Sequence, residues 1–232
     1  MNILFEDNHL IIVNKKSGEI VQADKTGDAP LSEVVKNYIK QKYNKPGEVF
    51  LGTIHRIDRP VSGIVLFART SKALERMNKL FQEKKIQKTY WAVVKNRPEK
   101  EQDTLVHYLL KNESKNKSFA SKDANGKSLR CELTYRIISN SDNFCLLEVN
   151  PHTGRHHQIR VQLSVIGSPI KGDLKYGFAR SNPDGSIHLH ARAISFQHPV
   201  SNEQLLIKAP PPDEVLWNYF YNLAKETQSN NI

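Results

Sequence analysis

Residues 52–63 read Gly-Thr-Ile-His-Arg-Ile-Asp-Arg-Pro-Val-Ser-Gly and lead directly into the apolar residues 64–68. This stretch places one carboxylate, Asp58, between Arg56 and Arg59 on a segment bounded by glycines. A neighbouring cation favours the ionised form of a carboxylate, and an ionised carboxylate suits nucleophilic attack. An ordinary surface ion pair is the commoner explanation of an isolated Arg-x-Asp-Arg pattern. The pattern therefore makes Asp58 a candidate for chemistry without deciding the matter.

The hydrophobic pattern on either side of this segment predicts strands and helices that alternate irregularly along the chain. Strands are predicted in a hairpin over residues 3–16 and at residues 63–68, 88–95, 131–138, 144–149, 188–197 and 204–208. Helices are predicted at residues 31–43, after a Ser71 cap, at residues 155–166 and after an Asp213 cap. Residues 111–130 are expected to form an exposed excursion or a hairpin tip. This set of elements indicates an α+β fold with a large, mostly antiparallel mixed sheet and a few packed helices.

No stretch rich in Pro, Gly or Ser divides the chain, so we expect one domain over residues 1–226 and a disordered polar tail at residues 227–232. Cys131 and Cys145 have no partner at metal-ligand spacing and are expected to be buried, reduced thiols. The chain shows no basic-then-apolar leader and no apolar run of about 18 to 20 residues. These features predict a soluble, cytoplasmic protein that does not enter a membrane.

The charge of the chain points to a polyanionic partner. The formal net charge of the 232 residues is +10. Between Arg69 and Arg130 the sequence holds 16 Lys and Arg residues against 7 Asp and Glu residues, a net charge of +9. Such a stretch is suited to neutralising phosphates, although a solvated lysine-rich surface has the same composition. Nucleic acid is the expected partner.

A second group of chemically able residues lies at residues 151–160, Pro-His-Thr-Gly-Arg-His-His-Gln-Ile-Arg. A Thr-Gly turn that leads into a helix exposes main-chain N–H groups at the positive end of the helix dipole. Arg155, Gln158 and Gln162 are expected along one side of that helix. Such an end can hold a phosphate or a carboxylate, and Arg155 can pair with either. Taken alone, Arg155 serves a surface contact equally well.

Metal and nucleotide cofactors are not expected. His156 with His157, and His188 with His190, offer imidazoles, but no cysteine or acidic residue accompanies them at a spacing that completes a tetrahedral site. The chain contains neither a Gly-x-Gly-x-x-Gly sequence nor a Gly-x-x-x-x-Gly-Lys-Ser/Thr sequence.

Taken in order, these segments resemble the RluA-type RNA pseudouridine synthases, and the resemblance runs almost end to end. The opening strand pair, residues 3–15, is followed by His-Arg-Ile-Asp-Arg at residues 55–59, which is similar to the catalytic motif of that family. The further matching segments are Ser62-Gly63, Lys88-Thr89-Tyr90, Thr153-Gly154-Arg155, His157-Gln158-Ile159-Arg160, Gly167-Ser168-Pro169-Ile170, Gly172-Asp173, Tyr176-Gly177, Leu189-His190-Ala191 and Phe196-x-His198-Pro199. A series of motifs in a fixed order is far more specific than one motif.

The resemblance implies a fold, a reaction and residue roles. It implies a central catalytic cleft in which Asp58 acts as the essential carboxylate on a flipped-out uridine of ribosomal or transfer RNA. Tyr90 would stack on the base, and Arg155 would pair with Asp58. Arg56 would fill the gap left in the RNA, and His55, Lys88 and Arg160 would also contact RNA. No metal, nucleotide or redox cofactor is implied, and we expect a monomer.

Some positions depart from the family pattern. Lys15-Lys16-Ser17-Gly18 stands where many relatives have Lys-Pro-x-Gly, and His156 and Gln162 replace more usual residues. We expect no small basic S4 domain ahead of Ile3, so RNA affinity must come from the catalytic domain. Two other functions stay open: an RNA-binding protein without activity on the same fold, and an RNA hydrolase that uses histidines as acid and base.

Overall fold

The computed structural model describes residues 1–23, 27–124 and 126–229. The chain divides into two compact units: the first comprises Met1–Lys88 and Ala191–Pro210, and the second comprises Thr89–His190 and Pro211–Ile232. The elements are β1 (Asn2–Glu6), β2 (Leu10–Lys15), α1 (Leu31–Lys42), β3 (Gly52–Thr53), β4 (Ser62–Ala68), α2 (Ser71–Gln82), β5 (Gln87–Val94), β6 (Gln102–Asn112), β7 (Lys117–Ser121), β8 (Leu129–Asn140), β9 (Cys145–Pro151), α3 (Gln158–Val165), β10 (Leu189–Gln197), β11 (Gln204–Lys208) and α4 (Val215–Ser229). A short 3-10 helix, Leu174–Tyr176, follows α3.

The first unit is built on antiparallel strand pairs. β2 pairs with β1 on one side and β4 on the other, β3 pairs with β4, and β10 pairs with β11. Helix α1 packs on this sheet because its apolar residues recur at helical spacing. Its buried residues Leu31, Val35 and Ile39 join a hydrophobic cluster with Val65 and Phe67 of β4. The apolar run after Asp58 is thus a strand of the core.

Position 63 requires a glycine, because the main chain there has a positive φ and lies too close to Ala191 for a side chain. It lies opposite Lys15 in the β2–β4 pair and has a φ of +113°, in a region that residues with a side chain rarely adopt. A Cβ atom added to Gly63 would lie 2.4 Å from the carbonyl oxygen and 2.5 Å from the nitrogen of Ala191. The Ser62-Gly63 pair therefore ends the Asp58 segment with a close approach of two main chains.

The second unit contains an antiparallel sheet with the strand order β5-β9-β8-β6-β7. Side chains alternate between its two faces, as the period of two along a strand requires. One face packs against α3, through Val161 with Leu109 and Cys131. The other face packs at its β5–β9 end against α4, through Trp217 and Phe220. Each helix buries an apolar stripe against one side of the sheet.

The predicted α+β class is confirmed, as are the β1–β2 hairpin, α1, β4, β5, β8, β9, β10 and β11. Cys131 and Cys145 are buried free thiols, as predicted, and burial raises the pKa of each. No helix in the described part of the chain is long and apolar enough to cross a membrane. The chain divides into two compact units, so the expected single domain over residues 1–226 stays a prediction.

Other predictions of local structure were wrong, and each was wrong for a local reason. Thr70, not Ser71, caps α2, because its hydroxyl oxygen accepts a hydrogen bond from the Ala73 nitrogen. At α4 the Glu214 carboxylate, not Asp213, accepts hydrogen bonds from the first main-chain N–H groups. β6 was not predicted at all. Residues 227–232 were predicted to form a disordered tail, but α4 runs to Ser229. Residues 230–232 lie outside the described residues.

Candidate active site

Asp58 lies in the first unit, on the segment between β3 and β4, and is half-buried. The Val61 N–H donates to the Asp58 carbonyl oxygen over 3.0 Å and closes a turn through Arg59 and Pro60. The neighbouring Ile57 packs against the hydrophobic cluster of α1 and β4. The main chain on both sides of the carboxylate is therefore fixed, by an apolar anchor before it and by a turn after it.

A buried lysine lies beside the Asp58 segment. Lys15, at the end of β2, is 1% exposed, and its ammonium group donates to the carbonyl oxygens of Lys16 at 2.9 Å, Glu19 at 2.8 Å and Arg59 at 3.2 Å. Burial lowers the pKa of Lys15 to about 8, and the charges of Glu19 and Asp58 oppose that shift. An ammonium group whose donors are all engaged by carbonyl oxygens can stay buried and charged. Lys15 thus ties the Asp58 turn to β2 and places a positive charge near it.

Sequence reasoning missed Lys15. It noted the residue only because the next position lacks proline. The available signal was a lysine at the end of a strand that begins with four consecutive apolar residues, 10–13, and four residues before a glutamate.

The two arginines that flank Asp58 extend outward. The Arg59 guanidinium forms an ion pair of 2.7 Å with Asp28, and both side chains are about half exposed, at 45% and 52%. Arg56 is exposed and lies 3.4 Å from the Gln22 side-chain oxygen. Exposed pairs of this kind contribute little to stability. Arg56 is therefore accessible to a ligand.

His55 and Lys88 meet at Phe81 in the first unit. The His55 ring stacks on Phe81 with 5.6 Å between centroids, and the Lys88 ammonium lies 5.9 Å from the centre of the same ring. Burial, together with the nearby Lys88 charge, lowers the pKa of His55 to about 3. Burial also lowers the pKa of Lys88. His55 is therefore a neutral, packed imidazole at neutral pH.

Tyr90 lies in the second unit, on β5 opposite Val149 of β9, and is half-buried. The strand register places Tyr90 on the same face of the sheet as Val149 and Tyr135. That is the face on which α3 packs. Within the second unit, Tyr90 and the segment that precedes α3 therefore belong to one side of the sheet.

Arg155 is exposed and precedes α3, contrary to the prediction that the helix begins at residue 155. The reason is the Gln158 side chain, whose carbonyl oxygen accepts from the Arg155 main-chain N–H at 3.0 Å and from the Thr153 hydroxyl at 2.7 Å. Gln158 Nε2 in turn donates to the carbonyl oxygen of Glu132 in β8 at 2.9 Å, and the Glu132 N–H donates to Thr153 Oγ1 at 2.9 Å. Arg155 Nε lies 3.4 Å from the Arg130 carbonyl oxygen. Thr153 and Gln158 thus fasten the Arg155 segment to β8.

The prediction of an anion site on main-chain N–H groups at this helix start was therefore wrong for the Arg155 N–H, since Gln158 occupies it. Gln158 and Gln162 are also buried, instead of lying with Arg155 along an accessible side of the helix. Helix α3 begins after His157, which has a φ of +56°.

Arg160 is buried in a paired contact with Asp173. Its Nε lies 2.7 Å from Asp173 Oδ2 and its Nη2 lies 2.9 Å from Oδ1, and the two side chains are 5% and 1% exposed. The guanidinium also lies 5.1 Å from the centre of the Tyr176 ring. This geometry accounts for the Gly172-Asp173 and Tyr176-Gly177 motifs as a structural support of α3.

The histidine pair after Arg155 is part of the same support. Tyr176 Oη accepts from the Ser118 N–H at 2.9 Å and lies 2.8 Å from Nδ1 of His157, within hydrogen-bonding distance. Burial and the nearby positive charges lower the pKa of His157 to about 2. Its ring stacks on His156 at 3.7 Å. Among the described residues, no group of three or more His, Cys, Asp or Glu side chains could hold a metal ion.

The sequence model of the family described as RNA pseudouridylate synthase matches residues 9–165. That match includes the segments of Lys15, Asp58, Tyr90 and Arg155. The chain belongs to this family. Ribosomal large subunit pseudouridine synthase C of Vibrio cholerae is 36% identical to it over 214 residues, which cover 90% of this chain and 65% of that protein. tRNA pseudouridine synthase C of Pectobacterium carotovorum is 32% identical over 232 residues, which cover 90% of this chain and 58% of that protein.

The chain spans less than two thirds of the length of these two relatives. Among solved structures it is similar to human RNA pseudouridylate synthase domain containing 4, with a TM-score of 0.78, 22% identity and coverage of 97% of this chain and 93% of that chain. Human RNA pseudouridylate synthase domain containing 1 gives a TM-score of 0.69 at 19% identity, with coverage of 96% and 94%. These similarities show that the chain has the pseudouridine synthase fold.

Proposed function

We propose that this protein isomerises uridine to pseudouridine in structured ribosomal or transfer RNA, with Asp58 as the essential carboxylate. The observation that carries the proposal is the placement of Asp58: a half-buried carboxylate in the matched family segment, on a fixed turn, with the buried ammonium group of Lys15 beside it. A cation in a partly buried site favours the ionised carboxylate that the reaction requires. The names of the relatives support RNA as the substrate.

The chemistry needs the target nucleotide outside its stack, because a stacked nucleotide hides its ribose and base from side chains. Asp58 acts at the ribose as nucleophile or base, and the bond between C1′ and N1 breaks. The uracil then rotates and rejoins C1′ through C5; C5 loses its proton, and N1, freed from C1′, takes up a proton. Atoms and electrons balance in this isomerisation without a metal, nucleotide or redox cofactor. Tyr90 stacks on the base and assists the proton removal, and Arg155 pairs with the carboxylate.

Two of the four predicted RNA contacts stay in the proposal. Arg56 is exposed and suited to occupy the gap left by a flipped nucleotide. Lys88 is a half-buried cation near His55, which lies on the Asp58 segment. His55 is neutral and packed on Phe81, so it is proposed to support that surface without contributing charge. Arg160 is left out, since its guanidinium is buried against Asp173.

The test is to incubate the protein with an unmodified transcript of bacterial large-subunit ribosomal RNA and with unmodified transfer RNA, and to map pseudouridine by chemical labelling. The expected result is pseudouridine at defined positions with wild-type protein, and a rate at least about a thousandfold lower with Asp58→Asn. Asp28→Asn is the matched control, because it removes an exposed carboxylate of the same unit. Wild-type activity in Asp58→Asn would refute the role of Asp58, and cleaved RNA would indicate a hydrolase.

A further inference from the structure

The tip of the β6–β7 hairpin is fastened to the residue that follows Arg155. His156 Nε2 lies 3.1 Å from Asn116 Oδ1, and His156 Nδ1 lies 2.9 Å from the Ser118 hydroxyl. Ser118 Oγ also donates to the His156 carbonyl oxygen at 2.9 Å. The tip turns through Asn116 with a φ of +42°, which asparagine tolerates better than most residues. The hairpin tip is therefore a built structure, held by side chains on both partners.

The same contacts bring two lysines to the tip. Lys175 Nζ donates to the Asn116 carbonyl oxygen at 3.0 Å. Lys117 Nζ lies 5.3 Å from the centre of the Tyr176 ring, and Tyr176 is the next residue after Lys175. A lysine that makes one hydrogen bond or a ring contact keeps further N–H donors for a ligand. Lys175 therefore contacts the hairpin tip, and Lys117 of the hairpin contacts the ring of Tyr176.

Positive charge at this place is not neutralised. Three nearby cations have carboxylate partners: Lys111 pairs with Glu113 at 2.7 Å, Arg130 with Glu132 at 2.6 Å and Arg160 with Asp173 at 2.7 Å. In the described part of the chain, no carboxylate forms an ion pair with Lys117 or Lys175. Burial lowers the pKa of the neighbouring His157, and the charges of Arg160, His156, Lys175 and Lys111 lower it further. The place suits an anion.

We propose that Lys117 and Lys175 together bind one backbone phosphate of the RNA substrate, and that His156 is the positioning residue that holds the hairpin tip in place for this contact. The inference rests on the proposed function, which supplies RNA as the anion. It singles out Lys117 and Lys175, because Lys175 is hydrogen-bonded to Asn116, the residue before Lys117, and His156 contacts the Asn116 side chain. His156 is one of the positions at which this chain departs from the family pattern.

The test measures binding to poly(U) as a function of salt in an Asp58→Asn background, so that turnover plays no part. Lys117→Gln with Lys175→Gln should weaken binding about tenfold and reduce the slope of log affinity against log salt by about 0.7, the value for one phosphate of a single strand. Two separate phosphate contacts would reduce it by about 1.4. Lys122→Gln with Lys127→Gln removes the same charge from the connection between β7 and β8 and should change affinity less than about threefold.

His156 is tested by a double-mutant cycle. In His156→Ala the tip is released, so the added effect of the two lysine substitutions should shrink from about tenfold to less than about threefold. His156→Gln keeps a donor for Asn116 and should retain most of the effect. An equal loss in the Lys122/Lys127 control, a slope change of about 1.4, or wild-type protein that does not bind poly(U) at low salt would each overturn the site. Absence of pseudouridine with normal poly(U) binding would instead overturn the proposed function alone.

Discussion

The segments that carry Asp58 and Arg155 are held in place by different kinds of interaction. The Asp58 segment is fixed by an apolar anchor, Ile57, and by a buried ammonium group, Lys15, whose charge is itself near the carboxylate. The Arg155 segment is fixed by neutral side chains, Thr153 and Gln158, that hydrogen-bond to the main chain of β8. One support is therefore charged, and the other is neutral.

This difference has a consequence for pH. A buried charged support changes its contribution when it titrates, whereas a support of amide and hydroxyl groups does not. The second unit nevertheless contains pH-sensitive groups, because His157 and His188 are buried as neutral imidazoles. The Asp58 segment should respond to alkaline pH through Lys15, whereas the buried neutral imidazoles of both units, His55 in the first and His157 and His188 in the second, should respond to acid.

The largest expected effect concerns the buried pair of Arg160 and Asp173. Arg160→Met leaves the Asp173 carboxylate buried without its partner and should lower the free energy of unfolding by about 3 to 5 kcal/mol. Arg160→Met with Asp173→Leu should recover most of that loss. Denaturant unfolding of the three proteins measures both effects. Poly(U) affinity is the check on function: normal affinity in the stable double variant agrees with a structural pair, and weak affinity would restore Arg160 as an RNA contact.

The next largest effect concerns Lys15. Lys15→Met leaves three main-chain carbonyl oxygens without their donor and should cost about 2 to 3 kcal/mol of unfolding free energy. Its pKa of about 8 lies below the ordinary 10.5, so the folded protein loses this proton first. Wild-type stability should therefore rise relative to Lys15→Met between pH 8 and 10.5, while pseudouridine formation falls above pH 8 as Asp58 loses its neighbouring charge.

The control for that experiment is Lys16→Met, which changes an exposed lysine of the same turn. It should show neither the stability loss nor the altered pH profile. Parallel pH profiles for wild-type and Lys15→Met protein, in both stability and rate, would contradict the assignment of a buried, titrating lysine.

The strands and the order of motifs could be predicted because they are written in local patterns. Residues 64–68 predict a buried strand, and the Thr153 and Gln158 positions belong to a motif that has a recognisable order. The burial of Lys15 and of Arg160 could not be predicted in this way, since hydropathy assigns such residues to the surface. Their burial depends on partners that the fold supplies: carbonyl oxygens for Lys15, and a carboxylate 13 residues away for Arg160.

The start of α3 shows a second limit. Helical spacing favours a start near residue 155, but the Gln158 side chain satisfies the Arg155 N–H from outside a helix, and His157 adopts a left-handed conformation. Competition between a side-chain hydrogen bond and a helical one is decided by the strand that Gln158 also contacts. The pairing partner, Glu132, is 26 residues away and enters no local pattern.

Acid titration should reveal the buried neutral histidines, of which His55 lies in the first unit and His157 and His188 lie in the second. His157 and His188 have pKa values of about 2 and about 4 in the folded protein, below the ordinary 6.5. The unfolded chain therefore binds protons first, and stability that is fully present above pH 6.5 is lost as pH falls toward these values. The first pH unit below 6.5 should cost about 1 kcal/mol for each histidine. His188→Gln, which leaves His55 and His157 in place, should reduce the slope of unfolding free energy against pH by about 1 kcal/mol per pH unit just below pH 6.5, and an unchanged slope would contradict the buried neutral form of His188.

The smallest expected effect separates positioning from charge at Arg155. Thr153→Val removes the hydroxyl that links the Glu132 N–H to Gln158 and should lower the free energy of unfolding by about 1 kcal/mol. Because Arg155 is proposed to act only once RNA is bound, the rate of pseudouridine formation at saturating RNA should fall severalfold while poly(U) affinity stays within about twofold. Thr153→Ser keeps the hydroxyl and should restore the rate. A loss of affinity without a loss of saturated rate would mean that this segment serves RNA binding. The hydrogen bonds of Thr153 and Gln158 would then position the phosphate contact at the hairpin tip more than they position Arg155.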